Sequence, residues 1–164
     1  MKKVIIILIS ILLAILDNSF IPFFSIKGAY PSLLFTFAIA YSLINGRKES
    51  IFIGVTSGIL QDIFFFQGFG VNSLLNLLLC VLASIVGEGI FKNKKLIPVV
   101  SMFFITMLKY VGIIIIFYLA NIHIEFERSI IMSIYNAVIM FFGYGLIMKF
   151  SDNDYSKNRW RFKW

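Results

Sequence analysis

The chain has 164 residues, of which 60% are hydrophobic and only 14% charged, and its mean hydropathy is +0.93. A soluble domain carries about a quarter of its residues charged, so a soluble enzyme, a secreted domain and a disordered chain are excluded together and a membrane protein is predicted. At 18.8 kDa, with ~20 apolar residues needed to cross a ~30 Å hydrocarbon core, residues 1–164 are expected to form one all-α transmembrane domain of about six spans joined by short loops.

Apolar windows place these helices at 4–23, 30–45, 51–66, 71–91, 97–119 and 129–149. The first window follows Lys2 and Lys3 as a signal peptide would, but Asp17, Asn18 and Pro22 stand where a small-residue cleavage site belongs, so it is expected to be retained. Pro22, Lys27 and Gly28 end it. The second and third windows, separated by Asn45, Gly46, Arg47, Lys48 and Glu49, are short for a full crossing, which calls for little tilt, flanking residues or a thinned bilayer. Gln67, Gly68, Phe69 and Gly70 turn the third window into the fourth. The fourth contains Cys80, the single cysteine, which reads as a small buried hydrophobe. Lys92 to Lys95 and residues 121–128 form the last two breaks.

With six spans both termini share one side. That side collects 12 basic residues (Lys2, Lys3, Arg47, Lys48, Lys92, Lys94, Lys95, Lys149, Lys157, Arg159, Arg161 and Lys163) against 2 opposite (Lys27 and Arg128), with Lys109 inside a span. The asymmetry predicts cytoplasmic N- and C-termini. Residues 151–164 form a basic and aromatic cytoplasmic tail in which Lys157, Arg159, Arg161 and Lys163 alternate with Trp160, Phe162 and Trp164. An extended chain would put cations on one side and rings on the other, a pattern suited to anchoring on anionic lipid rather than to holding nucleic acid; a docking site for a cytoplasmic partner is the other reading of the tail.

An ionisable side chain at the bilayer centre costs ~2.5–3.5 kcal/mol on insertion scales and therefore asks for a partner or a watery cavity. Asp17, Asp62 and Lys109 are the three deep ones. At 1.5 Å per residue all three fall at about the same depth, in the outer half of the membrane, so Lys109 is expected to pair with Asp62, Asp17 or both. Gly54, Gly58 and Asp62 recur every four residues, with Gln61 beside them, as a stripe that lets another backbone approach. Asn72, Asn76, Cys80, Ala83 and Gly87 form a similar stripe on the fourth helix, and Ser10, Ala14 and Asp17 on the first. These stripes are expected to face one another as an intramembrane polar seam or partner-binding surface. Glu88 can reach Lys92, Lys94 or Lys95.

Catalytic and metal chemistry find little material here. His123 is the only histidine and sits in an outer loop, so neither a multi-histidine metal site nor a Ser-His-Asp triad is available. Gly54 to Gly58 reads GxxSG in mid-helix, where a nucleophile elbow cannot form. Gly68, Phe69 and Gly70 lack the third glycine and the strand of a dinucleotide loop. No cofactor and no catalytic residue is expected.

The run Pro31, Ser32, Leu33, Leu34, then Gly46, Gly54, Gly58, Ile59, Leu60, Gln61 and Asp62, with Gly70 and Asn72 beyond the turn, resembles the MreD family of bacterial rod-shape-determining membrane proteins. The likeness in size, small loops and basic C-terminus extends over the whole chain. It implies a non-catalytic scaffold of the cell-wall elongation (rod) complex in the bacterial cytoplasmic membrane. The implied partners are an MreC-like bitopic protein, an MreB-type filament, the RodA glycosyltransferase and its penicillin-binding transpeptidase. The family is also similar in fold to the six-helix substrate-binding subunits of energy-coupling-factor transporters, which supplies the alternative of a small-molecule-binding transporter subunit. Against it stand the absence of an AxxxA-type pattern in the first helix and outer loops with few polar groups. A proton- or ion-coupled transporter using Asp17, Asp62 and Lys109 as a relay is a third class.

Overall fold

The structure, a computed structural model, describes residues 2–26, 28–64, 70–88, 96–119, 121 and 127–159. It is all-helical: α1 (Lys2–Ser19), α2 (Leu33–Ile44), α3 (Arg47–Phe64), α4 (Val71–Glu88), α5 (Leu96–Leu119) and α6 (Glu127–Arg159). Among the described residues there is no strand, only an isolated bridge between Ile26 and Ala29 in the α1–α2 connection, where Gly28 takes a positive φ of 74°.

Each predicted window contains one helix, and the differences lie at the ends. α1 stops at Ser19, and a separate 3₁₀ turn, Ile21–Phe24, follows with Pro22 as its second residue, because proline lacks the N–H that would continue an α-helical ladder but suits the first positions of a new turn. Arg47, Lys48 and Glu49 belong to the first turn of α3 rather than to the break before it. α6 runs ten residues beyond 149 to Arg159, so Lys157 and Arg159 follow helical spacing and not the strand-like alternation expected of the tail. Trp160, Arg161, Lys163 and Trp164 lie outside the described residues, as do Lys27, Gln67 to Phe69, Lys92 to Lys95 and His123.

α4, α5 and residues 128–149 of α6 are long and apolar enough to cross a membrane. α1 and α3 also have 18 residues each, with charges gathered at their ends. α2 is different. Its 12 residues span only about 18 Å at 1.5 Å per residue, and every position from Leu34 to Ile44 is buried. It touches all five other helices, while α1, α3, α4, α5 and α6 follow one another around it with, among the described residues, no contact between α6 and α1. A helix that is apolar on every side lies either in lipid or inside protein, and the burial of α2 among its five neighbours decides for protein. The short second window therefore needs no matching to bilayer thickness, because protein rather than lipid surrounds α2.

α3 and α4 pack most closely. A Cβ added at Gly54 would lie 2.9 Å from the Leu77 Cα, and one at Gly58 would run into the backbone of Ser73. The glycine stripe is thus filled by α4 of the same chain. On α4, Gly87 faces the Leu43 carbonyl of α2 in the same intimate way, and Asn76, Cys80 and Ala83 lie buried along the contact. The small residues of α1, Ser10 and Ala14, are buried against the bundle, whereas Val4, Leu8 and Leu12 on its other face are exposed, the arrangement expected of a lipid-facing helix.

Candidate functional site

Each helix begins with backbone N–H groups that have no partner in their own ladder, and in an apolar medium each unsatisfied group costs several kcal/mol. α2 starts inside the bundle, so water cannot meet that need. Side chains do so. Asp17, near the end of α1, accepts from the Leu33 N–H (2.7 Å), the Leu34 N–H (3.0 Å) and the Ser32 hydroxyl (2.8 Å). Asn136 of α6 accepts from the Ser32 N–H at 2.9 Å through Oδ1, and the Ser32 oxygen caps the Phe35 N–H at 3.2 Å. Every donor of the first turn is matched.

Asp62 performs the same task for α4. Its carboxylate accepts from the N–H groups of Gly70 (3.0 Å), Asn72 (2.9 Å) and Ser73 (3.0 Å), and from the Ser73 hydroxyl. A helix N-terminus carries roughly half a positive charge, which favours an anion there. Both aspartates lie near the end of one helix and hold the beginning of the next.

This arrangement corrects the expected ion pair. Lys109 of α5 is 5% exposed, and among the described residues neither aspartate lies within ion-pair distance of it. Its Nζ donates to Gln61 Oε1 at 2.7 Å and stands 4.1 Å from the centroid of the Phe35 ring, a cation–π contact strengthened by the absence of water. The reason is geometric: each carboxylate already meets three or four donors fixed by the backbone, and the lysine cannot displace that set.

Gln61 is the centre of the seam. Its carbonyl accepts from Lys109 and from Asn76 Nδ2 (3.0 Å), and its own Nε2 donates to the Ser32 hydroxyl at 2.9 Å. Asn76 also donates to the Ser57 hydroxyl at 3.2 Å. The structure therefore gathers Asp17, Gln61, Asn76 and Lys109 into one buried cluster, sets Asp62 and Asn72 beside it at the start of α4, and places Gly54 and Gly58 in helix packing. Three contributors were missed in the sequence: Ser32, Phe35 and Asn136. Asn136 was accessible, being the one carboxamide in the apolar stretch of α6; the ring of Phe35 gave no signal.

Beside the cluster lies a cavity of about 430 Å³. Its floor is formed by Lys109, Gln61, Ser32 and Asn136, its wall by Ile113, Ile114 and Phe117 of α5 with Met132 of α6, and Arg128 and Gly28 border it as well. The polar groups named here come from the helices or their first residues rather than from the outer loops, in which few polar groups were expected. At the other end of the bundle Glu88 bonds Arg47 across 3.2 Å, while the lysines expected for it, Lys92, Lys94 and Lys95, lie outside the described residues, and Ser151 donates to Asn45 Oδ1 at 3.0 Å, tying α6 to the end of α2. Among the described residues no three side chains of metal-binding type come together.

Compared with known families, the chain matches the rod shape-determining protein MreD over residues 1–150. No curated protein and no solved structure matches it.

Proposed function

The chain belongs to the MreD family of rod shape-determining proteins, and from that premise we propose that it is a non-catalytic membrane scaffold of the cell-wall elongation complex. In this reading the chain crosses the bacterial cytoplasmic membrane six times, the short α2 making its passage together with its flanking residues inside the bundle, and both termini lie in the cytoplasm, as the 12 to 2 distribution of basic residues suggests. Its partners are an MreC-like bitopic protein, the RodA glycosyltransferase with its penicillin-binding transpeptidase, and an MreB-type filament on the cytoplasmic side. The family match over residues 1–150 is the observation that carries the reading.

The geometry supports it in two ways. The aspartates are fully engaged in starting helices α2 and α4, which favours a preformed body over a relay. The glycine stripe is occupied by α4, so a partner's span would lie elsewhere. The edge where α1 and α6 do not meet, with the exposed Val4, Leu8 and Leu12 of α1 beside it, is the surface we assign to it. Lys157, Arg159, Trp160, Arg161, Lys163 and Trp164 hold the cytoplasmic end on anionic lipid.

Affinity purification of the tagged chain from its native membrane in mild detergent, followed by mass spectrometry, tests this directly. An MreC-like bitopic protein recovered with wall-synthesis enzymes is the expected result. Paired ATPases and a coupling membrane subunit in their place would overturn it.

A further inference from the structure

The cavity beside Lys109 has a polar floor whose acceptors are already in use. Gln61 Oε1 receives two hydrogen bonds, Asn136 Oδ1 receives the Ser32 N–H, and the Ser32 oxygen receives Gln61 Nε2 and the Phe35 N–H. Donors remain. Lys109 directs one N–H at Gln61 and has two more, and the amide nitrogens of Gln61 and Asn136 each have a second N–H beyond the one bond recorded for them. These side chains of the floor are therefore one-sided, with hydrogen bonds to give and few to take, although Asn72 and Tyr110 elsewhere in the lining carry oxygens that can accept.

Its charge is one-sided too. Lys109 and Arg128 both line the cavity, and among the described residues no acidic side chain does. Asp17, the nearest carboxylate in the seam, has its oxygens on the N-terminus of α2. A buried ammonium with a neutral hydrogen-bond partner and a ring face lacks the anionic partner that makes such burial tolerable. Above it, Ile113, Ile114 and Phe117 line the wall, Phe117 standing about 12 Å along α5 from Lys109. The volume falls within the usual range for sites that take small organic molecules, about 300–1,000 Å³.

We propose that this cavity binds a small organic anion, with its carboxylate or phosphate on Lys109 and the amide donors of the floor and its apolar body along α5. This stands on the cavity alone and does not depend on the rod-complex assignment.

The test uses the full chain in nanodiscs of neutral phosphatidylcholine, with octanoate and octyl phosphate as probes and octanol and octylamine as neutral and cationic counterparts. Binding is read by native mass spectrometry and by the midpoint of thermal unfolding. Both anions should bind saturably and raise the midpoint, and the two counterparts should not. Loss of a buried charge partner weakens binding by about thirtyfold or more, so Lys109→Met should lose the anions to that degree. Ile114→Trp, which fills the cavity and leaves the lysine in place, should lose them as well and covers the case in which the lysine variant does not fold. Octanol binding as tightly as the anions, or Ile114→Trp binding them like the original chain, would overturn the proposal. Adding phosphatidylglycerol to the nanodiscs separates the sources: competition with octyl phosphate supports a lipid headgroup in the site, and undiminished octyl phosphate binding supports a soluble anion.

Discussion

The hairpins α1–α2 and α3–α4 solve one problem in two settings. In each, an aspartate near the end of the first helix accepts hydrogen bonds from the start of the second: Asp17 from Ser32, Leu33 and Leu34, and Asp62 from Gly70, Asn72 and Ser73. The packing around them differs. α3 and α4 meet backbone to backbone at Gly54 and Gly58, whereas α2 follows α1 after a longer connection, touches it over a smaller contact and is enclosed by the whole bundle. A carboxylate in an apolar medium can thus be stabilised by the beginning of a helix as fully as by a cation, and the close glycine contact is an addition to that device rather than a condition for it.

Substitutions can separate the two ingredients. Asp17→Leu should have the largest effect, because Asp17 is 1% exposed and its loss leaves the Leu33 and Leu34 N–H groups and the Ser32 hydroxyl without their acceptor; each buried donor left unmatched costs about 1–3 kcal/mol, to be measured by reversible unfolding in mixed micelles. Asp62→Leu should cost less, about 1–3 kcal/mol, since Asp62 is 6% exposed and α4 is not enclosed as α2 is. Equal losses would show that enclosure does not distinguish the hairpins.

Gly58→Ala addresses packing alone. The new methyl meets the Ser73 backbone, and overpacking of that kind costs about 1–3 kcal/mol, while the α1–α2 hairpin should keep the proteolytic protection of its connection. Asn136→Leu removes the acceptor of the Ser32 N–H and should destabilise the start of α2 by about 1–2 kcal/mol, visible as faster amide exchange at Ser32. The smallest effect belongs to Arg47→Gln. The Arg47–Glu88 pair is more than half exposed on both sides, and such pairs contribute under about 1 kcal/mol, so the unfolding midpoint should hardly move.

Helix positions were legible because membrane helices are written in long apolar runs, and α5 agrees with its window to within one residue. The deep ionisable residues were equally visible, since nothing else in an apolar run resembles Asp17, Asp62 or Lys109. Their pairing was not. Opposite charges at equal depth suggest an ion pair, yet the competing acceptor sites are made by backbone N–H groups, which every residue carries and no letter marks. The usable signal was the serine or asparagine that opens the following helix, Ser32 after Asp17 and Asn72 with Ser73 after Asp62. The glycine stripe was correctly read as a place of close approach, but the identity of the approaching backbone depends on chain connectivity, and the neighbour in sequence, α4, takes it. The sixth window matches the apolar stretch 128–149, but the helix itself continues to Arg159, because falling hydropathy marks the edge of an apolar stretch while a helix can continue into polar sequence.

The enclosure of α2 also constrains how the protein is made. This helix is too short to span a bilayer by itself, and α6, which covers one of its sides, is synthesised last. Until α6 is inserted, α2 has an open flank and the Ser32 N–H lacks Asn136. A ribosome that stops after residue 119 should therefore release a chain that quality-control proteases remove quickly, even though four of its five helices have the length of a membrane span.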